Sequence, residues 1–373
     1  EIIKTTMGWA ILNTPAFLIG HLSAKLFDYS QDGFSAPYQA AIAFNNVLFC
    51  LLGFFYLFRL LSRFFAANTV HLTMISIALG TNIFYYTSFT NPISHCYEFA
   101  LILMFLWYSL RWFETPQPKI LYLMGFLLGL IVLIRPLNLI VVIIPSLFQV
   151  DQQNFVIRQW LLVKKHFLQI LIAGVCMFLV ILPQLIYWKL NSGNWVFNSY
   201  VGEQFFWSRP MLTEFLFSYR KGWLLYTPMM ALMLFGFVIQ KKTLNQILPQ
   251  ILILLLVMIW VNSCWWCWWF GGTFGCRVLV DFYGLFAFPL AVVIEYCLSR
   301  HFMSRLTFTI FLAFIIFVNL FQTRQKLEGQ IHWDSMTKDA YWQVFLKRRF
   351  PENYDSLLKT PDYEAAKNGK VVR

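Results

Sequence analysis

The residues best suited to chemistry are cations placed beside glycine breaks in an apolar chain. CWWCWWFGGTFGCR (264–277) sets four tryptophans and three glycines ahead of Arg277. Glycine lets the backbone approach a ligand closely. A helix starting at Arg277 would add free amide donors and a positive dipole end. Arg277 there suits a phosphate at the level of lipid headgroups. The simpler reading is that it snorkels or pairs with Asp281 one turn on. Arg135, in IRPLN (134–138), is the second candidate, since an arginine within a membrane segment needs an anionic partner. Lys4, Arg220 and Lys221 could add to an anion pocket.

Candidate proton acceptors are sparser. Asp32, His95 and Glu203 are the residues that could take a proton from an acceptor or orient it. No acidic pair has a telling spacing. Cys264 and Cys267 form a Cys-x-x-Cys, but no second pair completes a metal pattern. The tryptophans read first as an interfacial aromatic belt, ahead of a sugar-stacking platform. No P-loop, dinucleotide fingerprint or nucleophile elbow is present.

The elements that must position these residues are membrane helices. Of 373 residues, 59% are hydrophobic and only 12% charged. Soluble chains carry about 25% charged residues, so lipid must solvate most of this one. The net charge of +12 fits basic loops and anionic headgroups, not nucleic acid. Apolar runs predict spans at 38–61, 69–90, 95–113, 166–189, 222–240, 246–263, 278–298 and 303–321. The run 119–149 is broken at Arg135-Pro136 and predicts two short helices meeting there. Segment 8–27 is weaker and could lie in the interface. The fold class is all-α and polytopic, with about 9–11 transmembrane or re-entrant helices.

Arg59 and Arg63, Arg111 and Lys119, Arg158 with Lys164 and Lys165, Lys241 and Lys242, and Arg300 with Arg305 fall on one side, which is then cytoplasmic. The candidate residues gather on the other. The expected division is a membrane body, 1–321, and a polar tail, 322–373, folded as an outer-face cap through Trp333, Tyr341, Trp342 and Phe345.

Together TNPISH (90–95), LIRPLN (133–138), KGWLLYTP (221–228) and WWFGGTFGCR (268–277) resemble motifs of the GT-C superfamily of integral-membrane glycosyltransferases. The nearest resemblance is to bacterial enzymes of the protein mannosyltransferase and aminoarabinose transferase type. The resemblance implies a GT-C-like body with an outer-face cavity. It also implies a polyprenyl-phosphate-linked sugar donor, and a glycan, lipid or protein acceptor. Transfer would be inverting, on the periplasmic side of a bacterial inner membrane. Segment 8–27 looks like the juxtamembrane helix that closes the family's first outer loop, and Lys4, Arg135 and Arg277 look like donor-phosphate contacts. The family's catalytic carboxylate lies just after its first membrane helix, so it is expected upstream of Glu1. No cofactor is implied by a motif, and a divalent metal is left open. Two other classes fit the composition. One is a non-catalytic membrane subunit or scaffold of a larger complex. The other is a lipid or solute transporter, against which the lack of a second matching helix break weighs.

Overall fold

The computed structural model describes residues 2–90, 93–147, 155–239 and 241–370. Among these the chain is helical, apart from one isolated antiparallel bridge between Phe205 and Trp265. Helices α1 (Gly8–Leu26) and α2 (Ala36–Leu61) lead into α3 (Ala67–Gly80) and α4 (Ile83–Ser88). Then come α5 (His95–Glu114) and α6 (Pro118–Ile134), a 3-10 stretch (Pro136–Val142) and α7 (Ile143–Ser146). Next are α8 (Phe155–Lys165) and α9 (Phe167–Ser192). The short helices α10 (Leu212–Phe217), α11 (Trp223–Tyr226) and α12 (Pro228–Leu234) precede α13 (Leu248–Ser263). A 3-10 turn (Arg277–Phe282) runs into α14 (Tyr283–Leu298), followed by α15 (Phe302–Leu327), α16 (Lys338–Val344) and α17 (Tyr363–Lys367). The fold is that of an all-α, polytopic membrane protein.

Among the described residues four segments are long and apolar enough to cross a bilayer: Ala36–Leu61, Phe167–Ser192, Arg277–Leu298 and Phe302–Leu327. Segment α1 is not among them. It buries mainly small residues (Gly8, Asn13, Ala16, Gly20, Ala24) and leaves Phe17, Leu18, Ile19 and Leu22 exposed.

The chain divides into two compact units. Residues 1–60 and 90–201 form one, and 61–89 and 202–373 form the other. In the first, α6 packs on α9 and α5, and α1 meets the end of α6. Helix α6 stops where the sequence said it would. Pro136 lacks an N–H and forces the preceding Arg135 into an extended conformation, φ −143° and ψ 100°. In the second unit α14 is the central helix, with residues 283–294 all buried among α3, α12, α13 and α15. Residues 322–373 pack within this unit: Ile331, Met336, Ala340, Tyr341 and Tyr354 share a core cluster with Tyr226 and Phe274.

Two expected spans are not continuous. The run 69–90 breaks at Thr81, whose backbone is extended (φ −132°, ψ 165°). The break exposes carbonyls that a buried helix end must satisfy. Asn319 of α15 does so, donating from Nδ2 to the carbonyls of Leu79 (2.8 Å) and Thr81 (2.9 Å). The run 222–240 breaks at Thr227, because Pro228 opens α12. Asn319→Leu removes the side-chain donor from both carbonyls and leaves Thr81 with only the long bond from the Phe84 N–H, 3.4 Å. Its expected cost is about 1–3 kcal/mol, measured as a lower unfolding midpoint in detergent; an unchanged midpoint would count against this role for Asn319.

Candidate anion site

The strongest convergence of predicted residues lies in the second unit, around the loop that joins α13 to the Arg277 turn. The loop leaves α13 at Ser263 and is clasped by residues 204–211. Phe206 N–H donates to the Cys264 carbonyl (2.7 Å), Trp266 N–H to Gln204 (3.1 Å), and Met211 N–H to Ser263 (2.9 Å). Phe270 and Gly271 both adopt positive φ (54° and 69°), which turns the chain sharply. Gly275 adopts φ 61°, and a Cβ there would stand 2.8 Å from Tyr226 Cβ. Only glycine meets both conditions.

The loop apex is held from three directions. Asn82 Nδ2 and Tyr86 Oη both donate to the Phe274 carbonyl (2.9 and 3.0 Å), and Phe274 N–H donates back to Tyr86 Oη (2.9 Å). Asn82 is itself oriented, its Oδ1 accepting from Tyr283 Oη at 2.7 Å. Lys221 Nζ donates to the Thr273 carbonyl. On the tail side, Thr273 N–H donates to the Trp333 carbonyl at 3.4 Å.

The cations divide by role. Arg220 and Lys221 are 3% and 2% exposed and point inward. One Arg220 guanidinium nitrogen donates to the carbonyls of Asp334 and Lys359, which ties the loop before α11 to the tail. Arg277, at the first position of its 3-10 turn, is partly exposed. Burial holds the Lys221 ammonium well below the ordinary lysine range, and the charges of Lys326, Arg220 and Arg277 push the same way; Asp334 opposes them. Four cations therefore share this region with the Asp334 carboxylate, which already accepts from Ser335 Oγ (2.6 Å) and Tyr363 Oη (3.0 Å). His332 adds no charge through Nδ1, because that atom accepts the Ser335 N–H at 3.0 Å. Burial also lowers its pKa. Arg277, like Lys326, is partly exposed, whereas Arg220 and Lys221 are buried.

Glu203 lies beside the same loop, its Oε2 accepting from Trp266 Nε1 at 3.0 Å. The four tryptophans of the loop differ: Trp265 and Trp266 are partly exposed, as a belt would be, and the other two are not. Trp268 and Trp269 are 2% and 0% exposed, because Tyr363, Ala365 and Ala366 of the tail cover them. Both cysteines of the Cys-x-x-Cys are buried, and Cys267 lies in the same cluster. Burial pushes the Cys267 thiol up to about 11, so it stays protonated and a poor nucleophile at neutral pH. Among the described residues no group of three or more His, Cys, Asp or Glu could hold a metal ion.

The other candidates sit in the first unit. The N-terminal segment connects two of them. Lys4 lies over the Tyr200 ring (4.7 Å to its centre), and its carbonyl accepts from Ser199 Oγ (2.7 Å). Two residues later, Thr6 Oγ1 donates to Ile134, the residue before Arg135, at 3.2 Å. Arg135 Nε donates to Ser94 Oγ at 3.3 Å, and Ser94 precedes the buried His95 at the start of α5. Lys4, Arg135 and His95 are thus linked through one end of this unit. Asn91 and Pro92 of TNPISH lie outside the described residues. Asp32 is an exposed turn residue that accepts the N–H groups of Phe34 (2.7 Å) and Ser35 (2.9 Å) just before α2. Those amides, that of Phe34 foremost, and the Ser30 hydroxyl hold its carboxyl below the ordinary range, which makes it a weaker base.

Asn82, Tyr86, Tyr283, Lys326 and Asp334 were not singled out from sequence. The visible signal was the polar pair Thr81-Asn82 interrupting an apolar run.

Residues 17–188 match the family model of the dolichyl-phosphate-mannose-protein mannosyltransferases. The matched stretch contains Asp32, His95 and Arg135, and ends before the loop that carries Glu203, Arg220, Lys221 and Arg277. No curated protein matches the chain. No solved structure matches it either.

Proposed function

From the family match, which supports a GT-C-type membrane glycosyltransferase, we propose that this chain moves a sugar from a polyprenyl-phosphate-linked donor to a glycan, lipid or protein acceptor. Transfer takes place on the non-cytoplasmic face of a bacterial inner membrane. The observation that carries the donor class is the cluster of basic side chains around the 271–277 loop, with Arg277 partly exposed within it. A lipid-linked phosphate leaves as an anion at headgroup level, where this cluster stabilises it without reorganisation. Arg220 and Lys221 act from behind, fixing the tail and the loop backbone. Arg135 and Lys4 are proposed as phosphate contacts of the first unit.

The chemistry is a single displacement. The acceptor hydroxyl oxygen bonds to the anomeric carbon, the bond from that carbon to the phosphate oxygen breaks, and the configuration inverts. The hydroxyl proton passes to a carboxylate. Of the described candidates, Glu203 is the one beside the Arg277 loop.

The test is a transfer assay on the full chain reconstituted in liposomes, with labelled sugar supplied either on a polyprenyl phosphate or on a nucleotide. Label is expected in acceptor only from the lipid-linked donor. Transfer from the nucleotide donor alone would overturn the reading.

A further inference from the structure

A basic hook follows α16 and is built onto the end of α15. It comprises Leu346, Lys347, Arg348, Arg349 and Phe350. Leu346 adopts φ 54°, a left-handed conformation that a leucine holds only when its surroundings impose it. Those surroundings are specific. Gln325, buried in the last turns of α15, donates from Nε2 to the carbonyls of Val344 (2.6 Å) and Lys347 (2.9 Å), gripping both sides of the turn. Phe350 packs edge-on against Tyr354 (ring centres 5.1 Å apart), and the Tyr354 hydroxyl donates to the Gln330 carbonyl just past α15 at 2.6 Å.

This anchoring sets the depth of the hook. Helix α15 is a candidate span of 26 residues. At 1.5 Å per residue it is about 39 Å long, against a hydrocarbon core of about 30 Å. Its charge-free run, 306–323, lies between Arg305 and Arg324 and measures about 27 Å on the same scale. Arg324 and Gln325 therefore emerge at headgroup level, and so does the turn that Gln325 holds. Lys347, Arg348 and Arg349 are exposed, and among the described residues none of the three makes an ion pair. They edge an open concavity of about 460 Å³. The aromatic rings nearby are half in water: Trp342 is 51% exposed and Phe350 49%. Aromatic rings at that depth favour the membrane interface.

We propose that this hook is a binding site for anionic phospholipid headgroups, with the three cations on the phosphate and Trp342 and Phe350 seated at the interface. It is separate from the Arg277 loop and does not rest on the donor assigned to that loop. The test uses the full chain in nanodiscs of phosphatidylcholine, with and without phosphatidylglycerol, and reads amide hydrogen exchange across 338–354. Phosphatidylglycerol is expected to slow exchange at 345–350 by at least about tenfold, given the attraction of each basic residue to an anionic surface. The triple variant Lys347→Gln, Arg348→Gln, Arg349→Gln is expected to exchange alike in both discs, while α16 keeps its protection. Equal exchange of the wild type in the two discs, or slowing that survives the triple substitution, overturns the proposal. So does equal slowing by inorganic phosphate in phosphatidylcholine discs, which would make the hook a site for free anions.

Discussion

Arg277→Ala is expected to lower sugar transfer by about 10²–10³-fold, the loss typical when one preorganised donor to developing negative charge is removed. Arg277 begins its 3-10 turn directly after a loop fixed by Asn82, Tyr86 and Lys221. Its guanidinium is therefore positioned before the donor arrives, which is the condition for a large effect. Asn82, Tyr86 and Lys221 still hold the loop backbone in the variant, so its fold is expected to survive. Arg277→Lys should recover part of the activity, since an ammonium keeps the charge but loses the planar fork. Initial rates at saturating acceptor, with the detergent-unfolding midpoint alongside, separate the roles. Wild-type turnover in Arg277→Ala would remove the residue from the phosphate site.

The second large effect concerns stability. Gly125 and Gly129 lie one turn apart on α6 in GFLLG, a small-xxx-small pattern that lets membrane helices pack closely. A Cβ on Gly125 would stand 2.1 Å from the Ala173 carbonyl oxygen of α9, and one on Gly129 would be 2.9 Å from that of Met177. These obstacles are backbone, so no rotamer change relieves them. Gly125→Val should cost about 3 kcal/mol or more, the upper end for overpacking, and should lower folded yield and the detergent-unfolding midpoint. Ala173→Gly should not rescue it, because the clash is with the carbonyl and not the side chain. A Gly125→Val chain with the wild-type midpoint would show that α6 and α9 do not pack at this distance.

Much of the fold was legible where composition and breakers coincide. Spans predicted at 38–61, 95–113, 166–189, 246–263, 278–298 and 303–321 reappear as helices, and the Arg135-Pro136 break is where the sequence put it. The Thr81 break was not legible, because what stabilises it is Asn319, far along the chain. Arg277 stood out as a candidate because of its glycines. The inward placement of Arg220 and Lys221 could not be read this way, since it depends on carbonyls of Thr273, Asp334 and Lys359 that only folding brings near. The burial of Trp268 and Trp269 was hidden for a similar reason. Aromatic residues at a helix end suggest a belt, and nothing local announces that Tyr363 and Ala366 will cover them.

The dependence of the loop on the tail bears on how the protein is made. Synthesis runs from the N-terminus, so Arg277 and both sides of its loop emerge before Asp334, Lys359 and Tyr363 exist. Until those residues are translated, Arg220 lacks the carbonyls it grips and Trp269 lacks its cover. The codons for 334–363 thus complete the loop's surroundings after Arg220, Lys221 and Arg277 are already in place. A message cut short there would yield a chain that inserts its helices and still has an unfinished centre.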